Sequence, residues 1–264
     1  MKHNMEYFYF TDPNFFGPGK KGQERALRLA SLLKSRNIRF VIEARANDLN
    51  EQTIAILVEA GLRHILIGLE SGKDESLQRL KKMTTVAQNK KALQILRKHG
   101  IKPNVGFIMF EPDSTVEDIR INFEFLKRNR LLQNLEITVN MLYHHQIILQ
   151  GTKAYKMLQE EGRLEIFPSA TYEASTAYAN PQVAALACTM RDITNFIFSR
   201  LEKIWSGKAA EPEDAPEKYA KINELLAESF DTVLTALEAG KIFTDEEKTA
   251  FVRKAEKEVE EVLN

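Results

Sequence analysis

Apolar and polar positions follow two regular spacings along the first 143 residues of the chain. Short apolar runs with few internal charges predict buried parallel strands, and amphipathic stretches with apolar residues three or four positions apart predict helices between them. Strand and helix alternate five times, which predicts parallel strands joined by right-handed crossovers in an α/β fold. We expect the strands at residues 6–12, 38–44, 64–72, 102–111 and 135–143.

Capping residues predict where several of the helices begin. Asn50 is an expected N-cap, and Thr84 or Thr85 is expected to cap a later helix. Ser114 and Glu117 have the spacing of a capping box, in which each side chain bonds the backbone of the other residue. We therefore expect a helix to open at Ser114.

The pattern changes after residue 143. A short amphipathic helix is expected after Thr152, and no strand signal returns after Pro168. Thr244 and Glu247 form a second capping box, and the last two helices are most simply an antiparallel pair hinged near Gly240. We predict three long helices and one linker in this tail, at residues 180–205, 217–239 and 244–263 and at about 207–217.

Composition narrows the function. The 264 residues are 44% hydrophobic and carry 37 Lys and Arg against 37 Asp and Glu, a balance that argues against general nucleic-acid binding or a membrane-surface role. No apolar run approaches the roughly 20 residues of a membrane span, and the first residues lack the apolar core of a signal peptide. We expect a cytoplasmic protein.

The sequence gives little support for three other kinds of site: a cysteine site, a histidine metal site and a phosphate-binding loop. Cys188 is the single cysteine, so this chain alone forms no internal disulfide and no multi-cysteine metal site; in a predicted helix it is expected to be a small buried residue. His144 and His145 are adjacent, and on a strand they point to opposite faces and cannot ligate one metal. Residues 17–22 (GPGKKG) lack the spacing of a phosphate-binding loop.

Polar side chains gather at the ends of the predicted strands, where parallel α/β folds place their sites. Side chains alternate along a strand, so residues two positions apart share a face. The sets that share a face in this way are Glu43 and Arg45; Leu66, Gly68 and Glu70; Asn104, Gly106 and Ile108; and Glu136, Thr138 and Asn140. Asp12 closes the first strand. Carboxylates there could hold a ribose or an amino group, and an arginine could hold a carboxylate. This predicts a polar ligand pocket. The alternatives are a Glu43–Arg45 ion pair without chemistry and a Glu70 turned to water.

Five motifs occur in order along the chain, at residues 10–15 (FTDPNF), 43–45 (EAR), 60–62 (AGL), 67–72 (IGLESG) and 106–112 (GFIMFEP). Together they resemble radical SAM enzymes, specifically the branch often preceded by a cobalamin-binding domain. The resemblance covers about residues 5–165. It implies a partial TIM-like (βα) barrel at 1–165, with the family's first strand missing, and leaves the helical region 166–264 unexplained.

The resemblance also implies site residues for S-adenosylmethionine. Glu70 and Ser71 match the residues near the ribose and the methionine end, and Glu43 and Arg45 match a polar pair in which Arg45 suits the methionine carboxylate. Gly106 and Ile108 match the backbone that packs on adenine. Asp12 stands where the family binds the amino group, although the surrounding residues depart from the usual glycine-glycine-glutamate form.

The family's CxxxCxxC motif, which holds a [4Fe–4S] cluster, is absent from these 264 residues. One interpretation is a truncated or split radical SAM enzyme whose complete form cleaves S-adenosylmethionine through the cluster, with cobalamin as a further cofactor of that form. The alternative is a non-catalytic ligand-binding or subunit-interaction protein derived from such a barrel. The edge strand at 6–11 would pair with a missing N-terminal half or a second copy.

Overall fold

The computed structural model describes residues 7–17, 19–166 and 172–264. Its contacts divide the chain into two compact units, Met1–Phe107 and Ile108–Asn264. The domain boundary expected at residue 165 lies inside the second unit. Glu6, Pro18 and Pro168, on which parts of the sequence predictions fall, lie outside the described residues.

The first unit is a parallel sheet with helices between its strands, as the alternating pattern predicts. The sheet order is β1-β2-β3-β4, and each strand pairs in parallel with its neighbour. The strands are β1 Tyr7–Tyr9, β2 Arg39–Arg45, β3 Leu62–Glu70 and β4 Pro103–Phe107. The helices are α1 Gly19–Lys34, α2 Glu51–Glu59, α3 Asp74–Arg79 and α4 Val86–Lys98.

The core of this unit lies along β2 and β3. Ile65, Ile67 and Leu69 alternate along β3 and are fully buried, as is Ile42 of β2. Gly61 joins α2 to β3 with a φ of +114°, and a Cβ there would lie 1.9 Å from the Ile38 carbonyl oxygen. Only glycine fits this close approach of two backbones, which fixes where β3 enters the sheet.

The expected caps in the first unit are confirmed. The Asn50 side chain accepts a hydrogen bond from the Thr53 amide at the start of α2. Of the two threonines proposed for α4, Thr85 is the cap, and it forms a complete capping box with Gln88. These bonds satisfy helix N–H groups that would otherwise have no partner.

The second unit is mainly helical and contains a small antiparallel sheet of order β5-β7-β6. Its strands are β5 Ile148–Leu149, β6 Leu164–Ile166 and β7 Glu173–Thr176. Its helices are α5 Val116–Arg128, α6 Leu135–Met141, α7 Lys153–Glu160, α8 Pro181–Trp205, α9 Ala215–Glu238 and α10 Asp245–Leu263. The three long tail helices are confirmed, whereas the expectation of no strand after Pro168 is wrong because β7 follows it.

The strand predicted at 135–143 is wrong, because this segment forms α6. Asn134 caps the helix by accepting a hydrogen bond from the Ile137 amide at 3.1 Å. The buried positions Leu135, Thr138 and Val139 lie three and four residues apart, which is the spacing of a helix face. The apolar content of the segment fits both structures, and the cap favours the helix.

The expected opening of α5 is displaced by one residue. Thr115 and Asp118 form the capping box, not Ser114 and Glu117. Ser114 is buried, and its hydroxyl oxygen accepts a hydrogen bond from the Glu111 amide at 3.1 Å. This contact places Ser114 in the turn before the helix.

The core of the second unit lies where α5, α8 and α9 pack. Phe123 of α5 stacks on Phe230 of α9 with ring centroids 4.7 Å apart, and α10 contacts both α8 and α9. The capping box of Thr244 and Glu247 is confirmed at the start of α10. None of the helices in the described part of the chain combines the length and apolar content that crossing a membrane requires.

Candidate functional site

A cavity of about 210 Å³ opens in the first unit where β2, β3 and β4 end. The sheet register places Arg45, Gly68 and Gly106 side by side on the three strands, and all three line the cavity together with Glu43 and Glu70. The structure thus brings together four of the residues singled out in the sequence, namely Glu43, Arg45, Glu70 and Gly106. They meet at the carboxyl ends of parallel strands, where such folds place their sites.

Because Gly68 has no side chain, the Glu70 carboxylate can lie directly beside it. Leu66, Gly68 and Glu70 all line the cavity and are half-buried, whereas the residues between them are fully buried, so the three share a face as their spacing predicts. A Cβ on Gly68 would lie 2.6 Å from Glu70 Oε1, whereas a Cβ on Gly106 would meet only the Gly68 Cα, at 3.8 Å. A side chain at 68 would therefore displace the carboxylate.

Glu70 has a strained backbone and a charged partner. Its φ is +64°, in the left-handed region that favours glycine, and the register between β3 and β4 shifts between Gly68 and Glu70. Its side chain is 14% exposed, and Oε1 accepts a hydrogen bond from Lys82 Nζ at 2.6 Å. Strain of this kind concentrates at functional sites. Glu70 is therefore not simply turned to water.

Glu43 also has a partner in the first unit. The Tyr9 hydroxyl of β1 donates a hydrogen bond to Glu43 Oε1. This bond raises the pKa of Tyr9, because it stabilises the protonated phenol, and partial burial and the carboxylate charge act in the same direction. The carboxylate can still accept further hydrogen bonds, since each oxygen has two lone pairs.

Arg45 differs from the other charged residues of the cavity. Its side chain is exposed, and within the described ranges no carboxylate or other acceptor pairs with its guanidinium. The Glu43–Arg45 ion pair considered from the sequence is not formed. An unpaired guanidinium beside a polar cavity can bind a carboxylate through two parallel hydrogen bonds.

Three other residues predicted for the site are not among those that line the cavity. Asp12 is exposed, and its nearest charged partner is Arg25 at 3.8 Å. Ser71 is fully buried, and its hydroxyl oxygen accepts a hydrogen bond from the Lys73 amide. Neither residue lines the cavity. Ile108 belongs to the second unit.

Asn140 is not a strand-end residue. It is exposed on α6, where its side-chain amide donates to the Glu136 carbonyl at 2.7 Å. The shared face expected for Glu136, Thr138 and Asn140 does not exist, because on a helix residues two apart point in different directions.

Lys82, Asn47 and Thr84 also line the cavity, and the sequence pattern did not predict them. Lys82 and Thr84 lie in the connection between α3 and α4, and Asn47 lies in a short 3-10 helix that follows β2. Two residues of the first connection, Lys81 and Met83, have positive φ values of 53° and 54°. Strand periodicity gives no information on such loops. The one available signal is the run of two lysines shortly after the 67–72 motif.

The described residues offer no donor set for an iron–sulfur cluster. Such a cluster is held by cysteine thiolates, and the chain has a single cysteine. No group of three or more His, Cys, Asp or Glu side chains in the described ranges could hold a metal ion. The residues present therefore do not fit a [4Fe–4S] cluster.

Two further predictions about single residues need correction. Cys188 is exposed, not buried, because the buried face of α8 runs through its neighbours Leu186, Ala187 and Thr189. His145 does not lie in a regular strand and forms an isolated parallel bridge with Phe110. Burial lowers the pKa of His145, and the charge of Arg191 adds to this effect.

Part of the chain matches a known protein family, and several known proteins are similar to it in sequence. Residues 3–126 match the sequence profile of the Radical SAM superfamily. The chain is 32% identical over 143 residues to the 4'-phospho-dehydrooxetanocin synthase of Priestia megaterium, covering 48% of this chain and 19% of the relative. It is 29% identical over 170 residues to the bacteriochlorophyllide d C-8(2)-methyltransferase of Chlorobaculum tepidum, covering 62% of this chain and 35% of the relative.

A solved structure shares the fold. The cobalamin-dependent S-adenosylmethionine radical enzyme OxsB, solved with aqua-cobalamin bound, superposes with a TM-score of 0.78 at 20% identity. The match covers 98% of this chain and 47% of that chain. The chain thus spans less than half the length of this enzyme and of both curated relatives.

Proposed function

We propose that the first unit, most of which lies in the segment 3–126 that matches the Radical SAM superfamily, is the S-adenosylmethionine-binding part of a radical SAM enzyme. The observation that carries the proposal is the unpaired Arg45 guanidinium at a cavity that also presents two carboxylates and two glycines. S-adenosylmethionine offers a carboxylate, an ammonium group, a ribose diol and a flat adenine. Each of these has a counterpart among the residues of the cavity.

The assignment of roles follows the chemistry of each side chain. Arg45 binds the methionine carboxylate, because its planar guanidinium suits bidentate recognition of that group. Glu43 and Glu70 accept hydrogen bonds from the ammonium group and the ribose hydroxyls, as carboxylates have lone pairs to spare beyond their present partners. Gly68 and Gly106 leave the floor free of side chains, which lets the ligand approach the backbone.

The proposed chemistry of the whole protein is reductive cleavage of S-adenosylmethionine, which supplies the radical reactions of the superfamily. Since this chain lacks the three thiolates of a cluster site, we assign the cluster ligands to polypeptide outside these 264 residues, in a longer protein or a second subunit. Cobalamin enters the proposal in the same way, as a cofactor of the whole protein. The chain by itself is expected to bind and orient the ligand without radical chemistry.

Titration calorimetry with S-adenosylmethionine tests the proposed site. We expect Arg45→Ala to weaken binding about tenfold or more, the effect of losing one charge-assisted interaction. Arg28→Ala is the matched control, because Arg28 is also exposed in the first unit and lies away from the cavity. Equal affinities for the wild type and Arg45→Ala, or no binding by the wild type, would contradict the proposal.

A second candidate is a non-catalytic ligand-binding or subunit-interaction protein. The single cysteine favours it, since binding geometry cannot replace a redox cofactor. The two candidates share the binding site and differ in turnover. Formation of 5′-deoxyadenosine under anaerobic reducing conditions, once a cysteine-bearing polypeptide with a reconstituted cluster is added, would support the enzyme and exclude the second candidate.

A further inference from the structure

The strained backbone of Glu70 needs an explanation beyond the strand that leads to it. The Ser71 amide donates a hydrogen bond to the Leu69 carbonyl at 2.8 Å, which closes a three-residue turn with Glu70 at its centre. With a φ of +64° at the central residue, this is the rare and strained kind of γ-turn. Such a conformation persists only where its surroundings enforce it.

One side chain from another element spans this turn. Asn89 of α4 is fully buried, and its Nδ2 donates to the Leu69 carbonyl at 2.8 Å and to the Ser71 carbonyl at 3.2 Å. These are the carbonyl groups on either side of Glu70. A single amide group therefore ties both ends of the turn to the helix.

Asn89 is an unfavourable residue for this position on other grounds. Its Oδ1 is buried and has no hydrogen-bond partner within the described ranges, which is a destabilising arrangement. Asparagine is also a poor helix former, and the neighbouring buried positions of α4 are Ala92, Leu93 and Leu96. The contacts of Nδ2 with the turn are what an apolar residue at this position would lose.

We propose that Asn89 is a positioning residue for Glu70. Its side-chain amide sets the left-handed turn and thereby holds the Glu70 carboxylate in the cavity, 2.6 Å from Lys82 Nζ. Asn89 itself does not line the cavity, so it acts on a ligand only through Glu70. The effect on ligand binding rests on the proposed function, whereas the effect on the turn does not.

Amide hydrogen exchange in the ligand-free protein tests the effect on the turn. In Asn89→Ala, we expect the Ser71 amide to exchange about tenfold faster relative to the most protected amides, since its hydrogen bond closes the turn. Asn223→Ala is a matched control in the second unit: Asn223 is buried, donates to the Leu132 carbonyl at 3.1 Å and also has an unpaired Oδ1. Unchanged exchange at Ser71 in Asn89→Ala would overturn the proposal.

A double-mutant cycle in S-adenosylmethionine binding tests the route of action. We expect Asn89→Ala to weaken binding about tenfold, as for one misplaced hydrogen bond to a charged group, and Asn223→Ala to leave it unchanged. In a Glu70→Ala background, Asn89→Ala should add nothing further. Losses that add in the double variant would show that Asn89 does not act through Glu70 and would overturn the proposal.

Two further cases are covered, an Asn89→Ala variant that does not fold and a wild type that does not bind S-adenosylmethionine. If Asn89→Ala does not fold, Asn89→Ser retains one donor, and a smaller loss in the same cycle is expected, with additive losses again contradicting the proposal. If the wild type does not bind S-adenosylmethionine, the proposed function fails, and exchange of the Ser71 amide alone decides the role of Asn89.

Discussion

Arg120 in the second unit and Arg45 in the first unit carry the same charge in opposite surroundings. The Arg120 guanidinium donates to Glu238, Asp231 and Thr235, all on α9, with Glu238 bound through two nitrogens. These bonds raise the pKa of Arg120 in spite of its partial burial. Arg45 has no partner among the described residues.

The same contrast holds for neighbouring features of the two units. In the second unit, Arg120 ties α5 to α9, and capping boxes open α5 and α10. The first unit keeps an unpaired arginine, a strained glutamate and an exposed strand edge near one another. A charge with a full set of partners stabilises a fold, whereas a charge left without them is available to a ligand.

The largest effect on stability is expected from substituting Arg120, whose guanidinium has three hydrogen-bond partners on α9. Arg120→Met should lower the free energy of unfolding by about 2 kcal/mol, between the values for exposed and buried ion pairs, because it removes the partner of Glu238 and leaves Asp231 with only the more distant Lys127. Urea unfolding measures this loss. Arg128→Met is the control on the same helix, since Arg128 is exposed and lies 3.7 Å from its i−4 partner Glu124; a loss as large as that of Arg120→Met would contradict the argument.

The pH dependence of this loss follows from Asp231. Burial raises the pKa of its carboxyl, but the bonds and charges of Arg120 and Lys127 outweigh burial and hold it below its ordinary value of 3.8. A lowered carboxyl pKa contributes stability that is present above 3.8 and is lost as the pH falls through the lower folded-state value. The difference between wild type and Arg120→Met should therefore shrink below pH 3.8, and an unchanged gap at low pH would exclude Asp231 as its source.

The sequence predicts the first unit better than the second, for physical reasons that particular residues show. Ile65, Ile67 and Leu69 form an apolar run that only a buried strand explains, and Gly61 marks its start. At Leu135 and Val139, in contrast, the apolar content fits a strand or a helix, and the Asn134 cap favours the helix. Cys188 lies next to two buried residues of α8, and a small shift in helix phase decides its exposure.

For the site, strand parity alone brings Glu43, Arg45 and Glu70 to one cavity. It cannot identify Lys82, since the contact with Glu70 depends on a loop with positive φ on both sides of the lysine. Ser71, which only the resemblance assigned to the site, is buried in the turn, and strand parity does not predict that turn. Those distinctions depend on backbone conformations that hydrophobic spacing does not encode.

An intermediate effect is expected at the exposed edge of the first sheet. Tyr7, Phe8 and Tyr9 of β1 are 45%, 36% and 50% exposed, and β1 is an edge strand whose unpaired backbone groups favour pairing with another strand. We propose that the edge pairs with a strand of the polypeptide that holds the cluster. In its absence, the chain should self-associate or become poorly soluble.

Sedimentation velocity at increasing concentration measures this association. Tyr7→Lys places a charge on the edge and should suppress it, whereas Tyr172→Lys, at a residue 74% exposed in the second unit, should not. A wild type that stays monomeric at high concentration, with the amides of residues 7–9 protected from exchange, would show that the edge is already covered.

The smallest effect concerns Tyr9, which tests whether Glu43 is occupied while Arg45 is not. The hydrogen bond to Glu43 raises the pKa of Tyr9, with smaller contributions from burial and the carboxylate charge, so Glu43→Ala should return its titration towards the ordinary value of 10.0. A raised pKa contributes stability that is present below 10.0 and is lost as the pH rises through the folded-state value. This contribution is small, because Tyr9 is half exposed and water screens the interaction.

The chain has seven tyrosines, so NMR of labelled tyrosine rings, with Tyr9→Phe to assign the signal, is the appropriate measurement. An unchanged Tyr9 titration in Glu43→Ala would mean that Glu43 is as unpaired as Arg45. The cavity would then present an unpaired carboxylate beside the unpaired guanidinium, and not a free cation alone.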